Sequence, residues 1–167
     1  MIFEDWVAAR GDALLRFALM VTADPGRAED VVQTVLARVY LRWDRVGSLD
    51  APEAYVKAAI VNEHLRWWRR RSSREVPVDA PTADGPDGRP DADIAGRHAS
   101  RDAAWALLGG LPHRQRAVLA LRYYEDMSDD AIAAVLGCSA GTVRSQASRA
   151  LAALRVVVPS IAEEAMP

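Results

Sequence analysis

Residues 66–71 read RWWRRR, two adjacent tryptophans followed by three arginines. The surrounding run, 62–74, holds five arginines and a single acid, Glu63. Indole rings stack on unpaired bases and guanidinium groups hold phosphates, so this combination suits single-stranded or melted nucleic acid. Two other readings compete. A tryptophan pair at a helix end is commonly one core residue and one flanking residue, and aromatic–basic runs also anchor helices on membranes. A membrane anchor needs a broad apolar face along the whole helix. Here the bundle needs that face, and Glu63 lies at its rim. Helical phase predicts a buried Trp68 and puts Trp67 about 100° round the helix, beside the arginines.

The elements that must hold this run are helices. One begins near Pro52, with an expected apolar stripe of Ala54, Ala58, Val61, Leu65 and Trp68. Asp24-Pro25 is an N-cap followed by proline at the first helical position. Behind it Ala28, Val31, Val32, Val35, Leu36, Val39, Tyr40 and Trp43 recur at three-four spacing. A preceding helix carries Phe3, Trp6, Val7, Leu14, Phe17 and Val21. No strand-like alternation, Asn-Gly hairpin or internal repeat interrupts the pattern. The predicted fold class is all-α, as two small helical domains.

Composition sets the boundary between them. Over 75–102 the chain holds seven acids against three arginines, and 76–96 is crowded with Pro, Asp and Gly without an apolar period, the mark of a linker. The expected organisation is a domain at 1–75, a flexible acidic linker at 76–98, a second domain at 99–158 and a frayed tail at 159–167. Half of the 167 residues are apolar, enough for a core in each part. The net charge of −2 argues against wholesale polyanion binding. Lys57 is the only lysine; arginine's planar fork suits phosphates and bases, although a GC-biased genome gives the same skew. No apolar run approaches the roughly 18 residues of a spanning helix, and "MIFEDWVAARGD" is acidic where a signal peptide is basic. With Cys138 the single cysteine, a disulfide within the chain or a cysteine-rich zinc site is excluded. These features predict a cytoplasmic chain with no membrane insertion.

The C-terminal half carries a second nucleic-acid signature. Pro112 stands in the first turn of a helix running through Val118, Leu119 and Leu121. Ser128 then caps a short helix, with Asp129 and Asp130 at its positive end and Ile132, Val135 and Leu136 on its inner face. Gly137 terminates it, "GCS" makes a tight turn, and Ser139 caps the next helix. That helix is expected to bury Val143, Ala147, Leu151 and Leu154 and to present Thr142, Arg144, Ser145, Ser148 and Arg149 outward. This is a helix-turn-helix, whose second helix reads the major groove, or else an ordinary αα-hairpin. Cys138 reads as a small buried residue. Catalysis finds no support: His64, His98 and His113 lie in unrelated segments, and no phosphate loop, metal pair or nucleophile motif occurs. No cofactor or metal site is expected.

The order "AEDVVQTVLARVY", "PEAYVKAAIVNEHLRWWRRR", acidic linker, "LPHRQRAVLALRYYEDMSDDAIAAVLGCSAGTVRSQASRAL" resembles the extracytoplasmic-function (group IV) RNA polymerase sigma factors, in particular their actinobacterial sigma-E-like branch. The resemblance implies a region 2 module and a region 4 module and a protein that directs promoter-specific initiation. Its partners would be core RNA polymerase, promoter DNA and an anti-sigma factor. Asp30 and Gln33 would dock on the polymerase. Asn62 would begin the loop that catches a flipped −10 base. Arg66, Arg69, Arg70 and Arg71 would hold the melted strand, with Trp67 stacking. Thr142, Arg144, Ser145, Ser148 and Arg149 would read the −35 element. Two positions depart from the family's habit. Arg66 stands where Asp is common, which changes how the helix end is tied down, and Gln146 stands where Arg is common, which bears on −35 preference. A stand-alone helix-turn-helix regulator is the alternative.

Overall fold

The structure is a computed structural model describing residues 1–75 and 106–164, with side chains described for 1–74 and 106–155. The chain divides into two compact units, Met1–Pro81 and Thr82–Pro167. The expected linker, 76–98, lies outside the described residues, as does the start of the expected second domain. All regular structure among the described residues is helical.

The first unit packs α1 (Phe3–Thr22), α2 (Pro25–Tyr40) and α4 (Pro52–Glu75) against one another, with a single turn, α3 (Trp43–Val46), between the last two. Ala23 closes α1 in the left-handed region, φ 52°, its N–H returning to the carbonyl of Leu19. Asp24 then caps α2, its Oδ1 accepting from the Arg27 N–H at 3.0 Å, with Pro25 at the first position. Leu14, Phe17 and Val21 of α1, Ala28 and Val31 of α2, and Val56, Ile60 and Val61 of α4 are wholly buried.

Helix α4 is turned relative to its expected stripe. Ala54 is exposed and Ala58 and Leu65 are half-buried, whereas Val56, Ile60, Glu63 and His64 face inward. Trp68 is consequently half-buried rather than core, and Trp67 is half-buried beside it. Glu63, expected at the rim, is buried to 6% exposure. Helix α2 also ends sooner than its apolar spacing suggests. Tyr40 is exposed, and Trp43 belongs to α3, where its ring meets Phe3 at 5.3 Å and Trp6 at 5.2 Å. Its Nε1–H donates to the Met1 carbonyl at 3.2 Å.

In the second unit, residues 106–109 are helical and precede α5 (His113–Leu119), which runs into a π-helical turn, Ala120–Tyr124. Then come α6 (Asp129–Leu136) and α7 (Ala140–Glu164). Helices α5 and α6 both pack on α7. Val118, Ile132, Val143, Ala147 and Ala150 are fully buried, and Leu111 and Leu119 pack on Ala150 with Leu108, Leu151 and Leu154. The expected signals act where they stand. Ser128 Oγ accepts from the Ala131 N–H at 3.2 Å. Gly137 ends α6 at φ 64°, a conformation that favours glycine. Ser139 Oγ accepts from the Thr142 N–H at 3.1 Å. Cys138 in the turn is half-buried. Arg116 is buried, its Nη2 3.5 Å from the Leu111 carbonyl and 2.8 Å from His113 Nδ1; burial lowers its pKa to about 10. The helical backbone of α7 continues to Glu164, into the segment read as a tail.

Gly47 closes α3 where a β-carbon would lie 2.9 Å from Cε2 of Trp43 and 3.0 Å from the Trp43 carbonyl oxygen. Neither can move without disturbing the Phe3–Trp6–Trp43 packing. Gly47→Ala should therefore destabilise the first unit by about 1–3 kcal/mol, read as a lower urea midpoint at unchanged slope.

Candidate nucleic-acid interface

Two faces, one in each unit, carry the residues expected to meet nucleic acid. On the first unit the organising group is Glu63. Positions 63, 66 and 70 share one face of α4, and α2 brings Arg38 to the same point. Arg38 Nη1 donates to Glu63 Oε2 at 2.5 Å. Arg70 Nη2 lies 3.4 Å from Oε1, and Arg66 Nη1 lies 3.8 Å from Oε2. The carboxylate is buried while all three cations remain more than half exposed. Arg66 thus reaches back one turn to an acid supplied by Glu63.

Beside this cluster is a cleft of about 470 Å³ whose wall includes Arg38, Arg42, Tyr55, Asn62, Glu63 and Arg66. Asn62 lines it from within α4; it does not begin a loop, because α4 is one continuous helix from Pro52 to Glu75. The chain segment that does contribute to the wall between helices is the α2–α4 connection, through Arg42 and Val46.

Trp67 faces a second, smaller groove of about 310 Å³, lined also by Arg70, Arg71 and Arg74. Trp67 meets Trp68 edge-on, with centroids 4.9 Å apart and planes at 89°. The Trp67 ring already carries cations. The Arg27 guanidinium lies 4.1 Å from its centroid and that of Arg71 lies 5.2 Å away. Burial, opposed by the charges of Glu63 and Asp30, lowers the Arg27 pKa. Trp67 is thus a bridge from α4 to the start of α2, not the loose flank that its expected phase implied. Arg69 is exposed and lines neither groove.

On the second unit the N-terminal turns of α7 present Arg144, Ser145, Ser148 and Arg149 to solvent, with Thr142 half-buried and its Oγ1 3.0 Å from Ser139 Oγ. Asp129, at the start of α6, binds Arg122 Nη2 at 2.8 Å and sits 3.9 Å from Arg144 Nη1. Gln146 is 8% exposed, so it packs inward and does not join the outer face. Any effect of Gln146 on base preference must pass through the packing of α7. Asp30 and Gln33 are exposed on α2, away from Val31, Val32 and Val35.

Sequence reasoning missed Arg27, Arg38, Arg42 and Asp129 as partners of these faces. All but Asp129 lie on or just after α2, and nothing local couples that helix to α4. Glu63 did carry a signal, as the lone acid among five arginines.

Residues 6–74 match Sigma-70 region 2, and residues 101–154 match Sigma-70, region 4. The RNA polymerase sigma-E factor of Streptomyces avermitilis is 43% identical over 153 residues, spanning 92% of this chain and 83% of that protein. SigL, an ECF RNA polymerase sigma factor of Mycobacterium tuberculosis, is 28% identical over 89% of this chain and 84% of its own. Among solved structures, sigma factor RpoE bound to the anti-sigma factor NepR, from Bartonella quintana, superposes with a TM-score of 0.65 at 24% identity, over 94% of this chain and 96% of that one. CnrH, in complex with the cytosolic domain of CnrY, gives 0.58 at 25% identity over 95% and 88%. The chain belongs to the sigma-70 family, in its extracytoplasmic-function group. No helix among the described residues is long and apolar enough to cross a membrane.

Because Trp67 is clasped by Arg27 and packed on Trp68, Trp67→Ala should cost the first unit about 2 kcal/mol, the upper range of a partly desolvated cation–π contact. Trp67→Phe should keep most of that. A thermal melt in which Trp67→Ala equals wild type would show the clasp to be energetically idle.

Proposed function

We propose that this protein binds core RNA polymerase and gives it promoter specificity, reading the −35 element as duplex and the −10 element as melted strand. What carries the reading is the presence in one chain of two different nucleic-acid faces. One is an outward polar face at the start of the second helix of a helix-turn-helix, suited to base edges in the major groove. The other is an arginine-rimmed cleft beside Asn62, in the size range of small-ligand pockets, suited to a base taken out of the stack. On this reading Asn62 contacts the captured base, Arg66, Arg69, Arg70 and Arg71 track the backbone, and Trp67 offers a ring edge rather than a free face. The polymerase performs the chemistry; this chain supplies address and strand capture. A net charge of −2 fits a subunit that must not be titrated onto non-promoter DNA. It works in the cytoplasm with the polymerase, under an anti-sigma factor as in the related complex of RpoE with NepR. A stand-alone regulator would use α6 and α7 but leaves the arginine cleft without a task.

Asp30→Ala with Gln33→Ala should weaken co-elution with core polymerase while leaving the melting curve intact, since both side chains are exposed. Failure of the wild-type chain to co-elute, or to support run-off transcription from its own upstream region, removes the assignment.

The two DNA faces should also separate by mutation. Arg144→Ala should cost about 1–3 kcal/mol and relax preference at one or two −35 positions if it grips a guanine edge bidentately. Asn62→Ala should impair opening at −10 with −35 preference unchanged. Uniform loss on every sequence from the Arg144 change would reduce that residue to a phosphate contact.

A further inference from the structure

Glu63 is buried to 6% exposure, yet it neither fills the core nor caps a helix. Its two oxygens face cations from two helices: Arg38 of α2 at 2.5 Å, and Arg70 and Arg66 of α4 at 3.4 Å and 3.8 Å. The three arginine side chains are 54–55% exposed. A guanidinium has five N–H donors in a planar fork, so an edge given to a carboxylate leaves another edge for a phosphate. One buried anion with three half-exposed forks radiating from it is a preorganised backbone clamp, and it stands at the wall of the Asn62 cleft.

We infer that Glu63 is a positioning residue for the open DNA strand: it fixes Arg38, Arg66 and Arg70 round the cleft and, by cancelling part of their charge, stops that face from holding paired DNA unselectively. The inference rests on the proposal that α4 handles the melted strand. It adds Arg38, from another helix, to the strand-binding set, and assigns the acid in the basic run a role in discrimination. Ordering three long side chains before binding lowers the entropy lost when the strand arrives. Removing one positive charge's worth of attraction lowers affinity for any DNA by the counterion-release term. That term is larger for duplex, about 0.9 per charge against about 0.7 for a single strand, and the fixed forks rim a cleft suited to an unstacked base, so together the two favour the open strand over duplex.

The test uses the full chain assembled with core polymerase and two promoter fragments of one sequence, fully paired or pre-opened by mismatches across −10. Glu63→Gln keeps shape and removes charge. It should reduce preference for the opened fragment several-fold. It should also steepen the dependence of log affinity on log salt by about 0.7–0.9, the increment of one more phosphate neutralised. Glu63→Asp should restore the salt slope and part of the preference. Glu63→Gln with Arg38→Gln removes charge and counter-charge together. Its slope should return to wild type while its preference stays low, because Arg66 and Arg70 have lost their anchor. A purely structural role would lower the melting temperature without changing the slope. If wild type shows no preference for the opened fragment, the reading of α4 fails. If wild type shows it and Glu63→Gln keeps both preference and slope, the positioning role is overturned. Should Glu63→Gln fail to assemble, the paired variant decides, and wild-type preference there overturns the inference.

Discussion

Five guanidinium groups in the last turns of one helix repel one another, and the first unit is arranged around that repulsion. Coulomb repulsion between neighbours about 5–6 Å apart on a helix is modest in water but adds over a cluster. Glu63 takes up Arg66 and Arg70 on one side of α4, and the Trp67 ring takes up Arg71 on the other. Both devices also reach α2, through Arg38 to Glu63 and through Arg27 to Trp67. The contacts that neutralise the basic run therefore also help to dock α4 on α2. Charge balance and bundle packing share the same side chains.

The second unit solves a smaller version of the problem in the same manner. Asp129 stands between Arg122 and Arg144, so the exposed arginine at the start of α7 has a counter-charge at the start of α6. The capping and turn residues set that geometry. Ser128 places Asp129 at the head of α6, and Gly137 and Ser139 fix the angle at which α7 leaves. In both units a partly or wholly buried acid holds an arginine that points outward.

Local chemistry made much of this legible. Asp24, Pro25, Ser128, Gly137 and Ser139 each do what their side chains or backbone freedom dictate within a few residues, so the starts of α2, α6 and α7 could be read directly. The outer face of α7 was also legible, because Val143, Ala147 and Ala150 are the apolar side of a clearly two-faced helix. Helix α4 was different. From Ala54 to Val61 it carries apolar residues on nearly every side, so periodicity alone does not choose a phase. Packing against α1 and α2 chose Val56, Ile60 and His64, and that choice turned Trp67 towards Arg27. The π-helical turn at Ala120–Tyr124 and the short α3 left no pattern in the sequence.

The crossed rings of Trp67 and Trp68 make the end of α4 its own spectroscopic label. Two indoles 4.9 Å apart at 89° couple their electronic transitions, and a fixed chiral arrangement of such a pair rotates near-ultraviolet light in a way that separate tryptophans do not. The same rings lie under the guanidinium groups of Arg27 and Arg71, so anything that draws those cations away also alters the polarity the indoles sense. Part of the circular dichroism and emission of the unmodified chain, superimposed on that of the Trp6–Trp43 pair at 5.2 Å, therefore reports on the cations held over Trp67 and Trp68.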